Sequence, residues 1–381
     1  MYINGEFTND TSTFIRPAAF GQLSSEEIRV LGWNLPMEAM HLVHPHWRGY
    51  PAPAFHLHLM LVLIYTGLML SSLFGNGMVI WIFSTAKSLR TPSNVFVVNL
   101  AIFDFIMMLE IPMFLINSCA ERIIGNDLGC NIYAALGSVS GIGGSITNAV
   151  IAYDRFKTIS SPLDGRLNFV QAGILVLVTW LWTMPFTIFP FFKIWGRYAA
   201  EGLLTTCSFD YLTDDHDTKV FVGCIFAWAY AIPMICICTF YYRLFLHVQA
   251  HERMLREQAK KMNVKSLAAN KDESQSVEMR IAKAAFTIFF LFVCAWTPYA
   301  IVTLIGAFGN KQILTPMSTM IPAITCKAVS CIDPWVYAIS HPKYRMELEK
   351  RLPWLGISEK AAESSNSADT KSTGTEVEKS G

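Results

Sequence analysis

The sequence predicts an all-α membrane protein, a bundle of seven transmembrane helices followed by a short amphipathic cytoplasmic helix. Three observations predict it. Of the 381 residues 52% are hydrophobic and only 15% charged, against about 25% charged in an ordinary soluble domain. Seven segments are long and apolar enough to cross a hydrocarbon core, which takes about 20 residues of helix. Lys and Arg are divided unevenly between the connections on the two sides, the pattern expected of a chain that threads the bilayer. The balance of 30 basic against 29 acidic residues leaves no global field for nucleic acid. Nine cysteines without CxxC pairs or metal-ligand spacing exclude a disulfide-built scaffold.

Residues 1–56 read as an extracellular N-terminal tail without a signal-peptide core, so the first span doubles as the signal anchor. The tail carries the glycosylation sequon Asn9-Asp10-Thr11. Its HxxHxH run, His41, His44 and His46, is read as incidental to an exposed tail, and no metal site is assigned. The seven-helix domain occupies residues 57–340. The first span, 57–86, contains no Asp, Glu, Lys or Arg. The second, 93–117, must tolerate Asp104 and Glu110. The third, fourth and sixth, at 131–152, 168–192 and 284–310, are uncharged, and the fifth, 220–242, is nearly as clean an apolar run. The seventh, 312–340, holds Lys327 and Asp333. A charge at the centre of a membrane helix costs about 2.5–3.5 kcal/mol even on the lenient insertion scale, so these four charges are the informative ones.

Residues 341–352 alternate basic and apolar positions at helical spacing, as a helix lying on the membrane surface does. Residues 353–381 turn to Ser, Thr, Glu and Lys and read as a disordered cytoplasmic tail. The connections after spans one, three and five hold fourteen Lys and Arg; the opposite side holds five, Arg122, Lys193, Arg197, Lys219 and Lys311. The richer side is cytoplasmic, which puts the N-terminus outside and the C-terminus inside. No internal repeat is visible, which counts against the repeat-built transporters.

Asp154-Arg155-Phe156 closes the third span, and Asp333-Pro334-Trp335-Val336-Tyr337 lies in the seventh. With Gly75-Asn76, Asn99-Leu100-Ala101, Asp104, Cys130, Trp180, Pro233 and Trp296-Thr297-Pro298-Tyr299, these motifs fall in order across all seven spans. On them the chain resembles the rhodopsin-like G-protein-coupled receptors. The resemblance implies a receptor and not an enzyme, with Asp154, Arg155, Asp333, Pro334 and Tyr337 forming the switch toward a G protein. An Arg paired with a neighbouring carboxylate can be locked and released, and a Pro in mid-helix frees a carbonyl and allows a bend. The resemblance also implies a Cys130–Cys207 disulfide tying the second outer loop to the third span. Cys224, Cys236, Cys238, Cys294, Cys326 and Cys331 lie within spans and read as small buried hydrophobes, and Cys119 is left over near the outer face.

Lys327 selects among such receptors. An amine inside the membrane must be paired, neutralised or modified, and a lysine kept from full hydration reacts readily with an aldehyde. It lies six residues, about 9 Å of helix, before Asp333, which is the spacing of the retinal-attachment lysine in opsins. The chain thus resembles an opsin, and the likeness implies covalent 11-cis-retinal or 3-hydroxyretinal at Lys327. Phe292, Trp296 and Tyr299 recur along the sixth span and would wall an elongated apolar ligand, although such stripes also serve plain helix packing.

A protonated Schiff base is a buried cation that needs a counterion. Tyr133 stands where vertebrate visual pigments carry a glutamate, and a tyrosine is neutral at pH 7. Glu201, six residues before Cys207, is similar in position to the counterion of invertebrate opsins; a solvated loop carboxylate is the other reading. The resemblance makes Glu110 an expected spectral-tuning position, because insect ultraviolet opsins carry a lysine in the matching place. A carboxylate there favours the protonated form and implies a blue-sensitive pigment, with a packing role as the alternative.

Residues 247–270 resemble the third cytoplasmic loop of arthropod visual opsins, which implies a Gq-type partner. Arg253, Arg256, Lys260, Lys261 and Lys265 offer it, or anionic membrane lipid, a basic surface. The Ser/Thr-rich tail implies arrestin and a receptor kinase, and the family's setting is the photoreceptor plasma membrane of rhabdomere type. Two other readings stay open: a receptor for a diffusible ligand, which shares the fold and does not need Lys327, and a retinal photoisomerase, against which the intact Asp154-Arg155-Phe156 argues.

Overall fold

The computed structural model describes residues 29–161, 164–261 and 273–357. Asn9, Lys265 and the Ser/Thr-rich stretch after 357 lie outside the described residues, as do the side chains of Arg256, Lys260, Lys261 and Tyr337. Among the described residues, six helical stretches are long and apolar enough to cross a membrane. Leu63, Leu70, Val170, Leu177, Ile235 and Phe290 point away from the protein, a surface that water would cover at high cost and lipid at none.

Helix α1 (Phe55–Thr85) is apolar on every face. Helix α2 (Pro92–Leu109) starts on Thr91, whose hydroxyl accepts from Asn94 N, with Pro92 in the first turn where its missing N–H costs nothing. The second span is not one helix. It breaks at Glu110, and α3 (Ile111–Cys119) begins with Pro112 in its first turn, where the missing N–H leaves no helical bond unmade. Helix α4 (Asn126–Ser160) is buried along most of its length. Gly141, Gly143, Gly144, Ser145, Ala149 and Ala152 make it narrow enough for its neighbours to close in. Helix α5 (Phe169–Phe191) opens on a reciprocal cap between Asn168 and Gln171.

Asn99 joins three of these helices. Its Nδ2 donates to Thr147 Oγ1 of α4 (2.9 Å) and Thr179 Oγ1 of α5 (3.0 Å), and its Oδ1 accepts from Trp180 Nε1 (3.0 Å).

The fifth span also departs from a single regular helix. Helix α6 (His216–Ile225), capped by Asp215 on Thr218 N at 2.6 Å, widens into a π turn over Phe226–Ala231 before α7 (Ile232–Lys261). The wider turn precedes Pro233, whose nitrogen has no hydrogen to give the turn behind it. Helix α8 (Glu273–Phe308) contains Pro298, and α9 (Pro316–Ser340), with Pro322 and Pro334 inside it, supplies the seventh span.

On the outer side, strands β1 (Tyr198–Glu201) and β2 (Thr206–Phe209) pair antiparallel, Glu201 opposite Thr206, and Cys207 is bonded to Cys130 of α4. The segment 29–54 is not an exposed tail. Leu31, Leu42, Val43 and the fully buried Trp47 are apolar and pack onto the bundle, and Val43 forms a parallel bridge to Ala200 of β1. His46 Nε2 and the Tyr50 hydroxyl both donate to Leu314 O, at 2.8 Å each. At the inner end α10 (Pro342–Arg351) tucks Tyr344 and Leu348 under the bundle, with Tyr344 stacked on Phe83. Its cap is His341, whose Nδ1 accepts from Tyr344 N; burial pushes this imidazole down to about 4, which keeps the accepting nitrogen unprotonated.

Candidate functional site

Glu110, Tyr133, Glu201, Phe292, Trp296, Tyr299 and Lys327 all line one cavity in the outer half of the bundle. They come from five elements: the α2/α3 junction, α4, β1, α8 and α9. Along α8, Phe292 stacks on Trp296 (5.4 Å between ring centres) and Trp296 meets Tyr299 edge-on (6.4 Å). The Trp296 indole presses on α4 at Gly141, where a Cβ would collide with the ring. Strand β2 roofs the cavity with Cys207, Ser208 and Phe209, and the disulfide, Cα to Cα 5.4 Å, holds that roof to α4. Met107, Ile142, Phe226 and Ala300 complete mostly apolar walls.

Two carboxylates and one amine are the charges inside. Lys327 Nζ is 2.9 Å from Glu110 Oε1, with the two side chains 10% and 1% exposed. Glu110 points inward because the helix breaks there, and it has room because α4 carries Gly137 opposite: a Cβ at 137 would stand 2.9 Å from Glu110 Oε2. The Tyr133 ring centre lies 5.9 Å from Lys327 Nζ.

Glu201, in the outer loop, is held differently. Its Oε2 accepts from the Tyr211 hydroxyl at 3.0 Å and from the Tyr299 hydroxyl at 3.3 Å, and Tyr299 in turn shares a 2.5 Å hydrogen bond with Ser208. Burial pushes the Glu201 carboxyl up to about 7, against the downward pull of Tyr211, of the Lys327 charge and of Tyr299.

Two further polar groups lie deeper along the bundle. Ser330 Oγ donates to Asp104 Oδ1 at 2.9 Å, while Ser330 O accepts from Asn76 Nδ2 (2.8 Å) and Ser72 Oγ (3.0 Å). Asp333 is buried one helical turn further in, and Pro334 fills the space opposite Gly75, where a Cβ would approach its ring to 2.6 Å. At the inner end of α4 Arg155 is ion-paired with Asp154, donating from Nε at 3.1 Å, and Ser93 of α2 donates to the other carboxylate oxygen at 3.0 Å.

Sequence reasoning missed Ser93, Tyr211, Ser208 and Gly137. The first three belong to no motif and reach the site only through the fold. Gly137 and Gly141, one helical turn apart, are a legible sign that something approaches α4 closely. The histidine run binds its neighbours: His41 lies 3.0 Å from Asp127 and His46 is committed to Leu314. No group of three or more metal-binding side chains occurs among the described residues.

An amine nucleophile in the wall of an apolar, aromatic-walled cavity, with carboxylates to balance its charge, suits an elongated apolar aldehyde. The residues present therefore fit retinal.

Residues 75–337 match the family described as 7 transmembrane receptor (rhodopsin family). The chain is 67% identical to Opsin-3 of Manduca sexta over 331 residues, covering 87% of this chain and 86% of that one. It is 61% identical to the blue-sensitive opsin of Apis mellifera over 339 residues, covering 89% and 90%. Among solved structures, squid rhodopsin superposes with a TM-score of 0.78 at 31% identity, over 84% of this chain and 92% of that one.

Proposed function

The chain belongs to the rhodopsin family of seven-transmembrane receptors, among the insect visual opsins, and from this premise we propose that Lys327 carries its chromophore covalently. The protein is a light-activated, G-protein-coupled photoreceptor, it is not an enzyme, and an opsin's chromophore is a retinal. The finer reading is 11-cis-retinal, or 3-hydroxyretinal, held as a Schiff base. The observation that carries it is that Lys327, the one lysine among the described residues lining the cavity, stands in the wall of an aromatic-lined space. Lys327 would hold the retinal through its side-chain nitrogen, as a Schiff base formed with loss of one water, and the nitrogen would carry a proton. When bound, the retinal supplies light absorption and a change of shape.

The protein's residues do the rest. Tyr133, Phe292, Trp296 and Tyr299 exclude water and fix the ligand's path, and Glu201 and Glu110 balance the nitrogen's charge. A carboxylate at 110 favours a positive nitrogen, which supports absorption in the visible, and the blue-sensitive class is the reading that 61% identity to such an opsin supports. Pressure of Trp296 on α4 and the bend at Pro298 would carry the change to Asp154 and Arg155. The partner is a Gq-type G protein, with arrestin and a receptor kinase acting at the tail. The site of action is the rhabdomere-type plasma membrane with the N-terminus, and a glycan on Asn9, outside.

The test is an absorption spectrum of the purified protein incubated with 11-cis-retinal, dark and then illuminated, beside Lys327→Ala. A blue band that shifts in light and is absent from the control is expected. No Lys327-dependent band from folded protein would return the chain to the receptors for diffusible ligands.

A further inference from the structure

Resting on the reading that Lys327 holds the chromophore, we infer that Glu110, and not Glu201, is the primary charge partner of the Lys327 nitrogen, both in the free amine and in the pigment. Three observations point to it. Glu110 Oε1 stands 2.9 Å from Nζ, whereas no ion pair within 4.0 Å joins Glu201 to Lys327. Glu201 is already engaged by the hydroxyls of Tyr211 and Tyr299. Glu110 also has a route to the amine, because it sits at the break between α2 and α3, over a glycine that leaves its carboxylate the necessary space.

The surroundings favour a strong interaction. Both members of the pair are buried, so their attraction is far less screened than it would be in water, and removing one would leave the other charged and uncompensated. The hydroxyls of Tyr65 and Tyr133 are buried beside the pair, and that of Tyr133 is within reach of the Glu110 carboxylate. They are donors in waiting for the carboxylate, directly or through a water. The titratable side chains facing the amine are thus Tyr65 of α1, Glu110 at the α2/α3 junction, Tyr133 of α4, Glu201 of β1, Tyr299 of α8 and Cys326 of α9. Glu110 alone among these is a carboxylate in contact. On this assignment Glu110 does more than tune the colour, since it decides whether the nitrogen keeps its proton, while Glu201 adjusts the field from the roof.

Two measurements on the full chain test this. In the protein without retinal, thermal midpoints are compared for wild type, Glu110→Gln, Lys327→Met and the double variant. Each single change is expected to lower the midpoint by several degrees, and the double variant to recover most of the loss, because it leaves no unpaired buried charge. Additive losses would overturn the pairing. With 11-cis-retinal bound, Glu110→Gln is expected to move the band into the ultraviolet at pH 7.5 and to recover visible absorption on acidification. Glu201→Gln is expected to displace the band within the visible. The reverse, an ultraviolet Glu201→Gln pigment beside a visible Glu110→Gln pigment, would overturn the inference. Absence of a Lys327-dependent band from every folded variant would instead overturn the chromophore reading, and the retinal-free comparison would still judge the pair.

Discussion

Replacing Glu201 by Gln should make the retinal-free protein more stable at alkaline pH and leave it little changed in acid. The carboxyl is buried under β2, and its folded value of about 7 stands above the ordinary 4.5. A raised value means the fold prefers the protonated acid. The favourable contribution is therefore complete below about pH 4.5, fades as pH rises through 7, and is absent above about pH 8. Raising the value by about 2.5 pH units, at about 1.36 kcal/mol each, makes the penalty of ionising this group in the fold about 3 kcal/mol. Gln keeps an acceptor for Tyr211 and carries no charge to bury, so the variant escapes that penalty. Midpoints of thermal unfolding, followed by tryptophan fluorescence at pH 5, 6, 7 and 8, should diverge from wild type as pH rises, reaching about 5 °C at pH 8. Parallel curves across that range would refute the argument, because they would mean that Glu201 is solvated or paired in the folded protein.

Three further outcomes follow from the geometry. Gly141→Ala sets a methyl group against the Trp296 ring, and overpacking of about 1–3 kcal/mol should reduce the pigment formed per folded protein at limiting 11-cis-retinal; an unchanged yield with an unchanged band would show that Trp296 is free to move aside. Ser93→Ala removes a hydrogen bond to the Asp154 carboxylate, of the kind that contributes about 1.5–3 kcal/mol, and nucleotide exchange on a purified G protein in the dark should rise about tenfold; a dark rate equal to wild type would exclude Ser93 from the lock. Asn99→Ala breaks three hydrogen bonds, two of them buried, between α2, α4 and α5 and should cost about 2–4 kcal/mol, read as a lower thermal midpoint with the absorption maximum unmoved.

Where the sequence was legible, a single physical rule dominated. Runs free of charge must be spans, and the four charges inside spans had to be buried for a reason; in the structure Asp104, Glu110, Lys327 and Asp333 are all buried and three of them have named partners. Pairing was not legible. That Lys327 meets Glu110 depends on α2 stopping at Leu109 and on α4 offering Gly137 at the same height, two facts separated by a turn and 27 residues of chain. Pro112 marks a break, but a proline at that place could equally kink a continuous helix, and only packing decides. The outer segment was misjudged for a related reason. Leu31, Leu42, Val43 and Trp47 are spaced too irregularly to show a helical or strand period, so their shared burial against the bundle cannot be seen until the bundle exists.

The polar side chains of α9 make one argument out of these parts. Lys327, Ser330 and Asp333 follow at three-residue steps and so lie along one side of the helix. Across from them the second span presents Glu110 and Asp104, six residues apart and running in the opposite direction. The result is two cross-links of different character. The outer one, Lys327 to Glu110, exists only while the nitrogen is positive. The inner one, Ser330 to Asp104, is reinforced by Asn76 and Ser72 of α1 and involves no cation. A change in charge at Lys327 therefore acts on the outer cross-link and leaves the inner one, to α1 and α2, in place. Just inside the lower cross-link, Pro334 packs against α1 at Gly75, where no side chain fills the place.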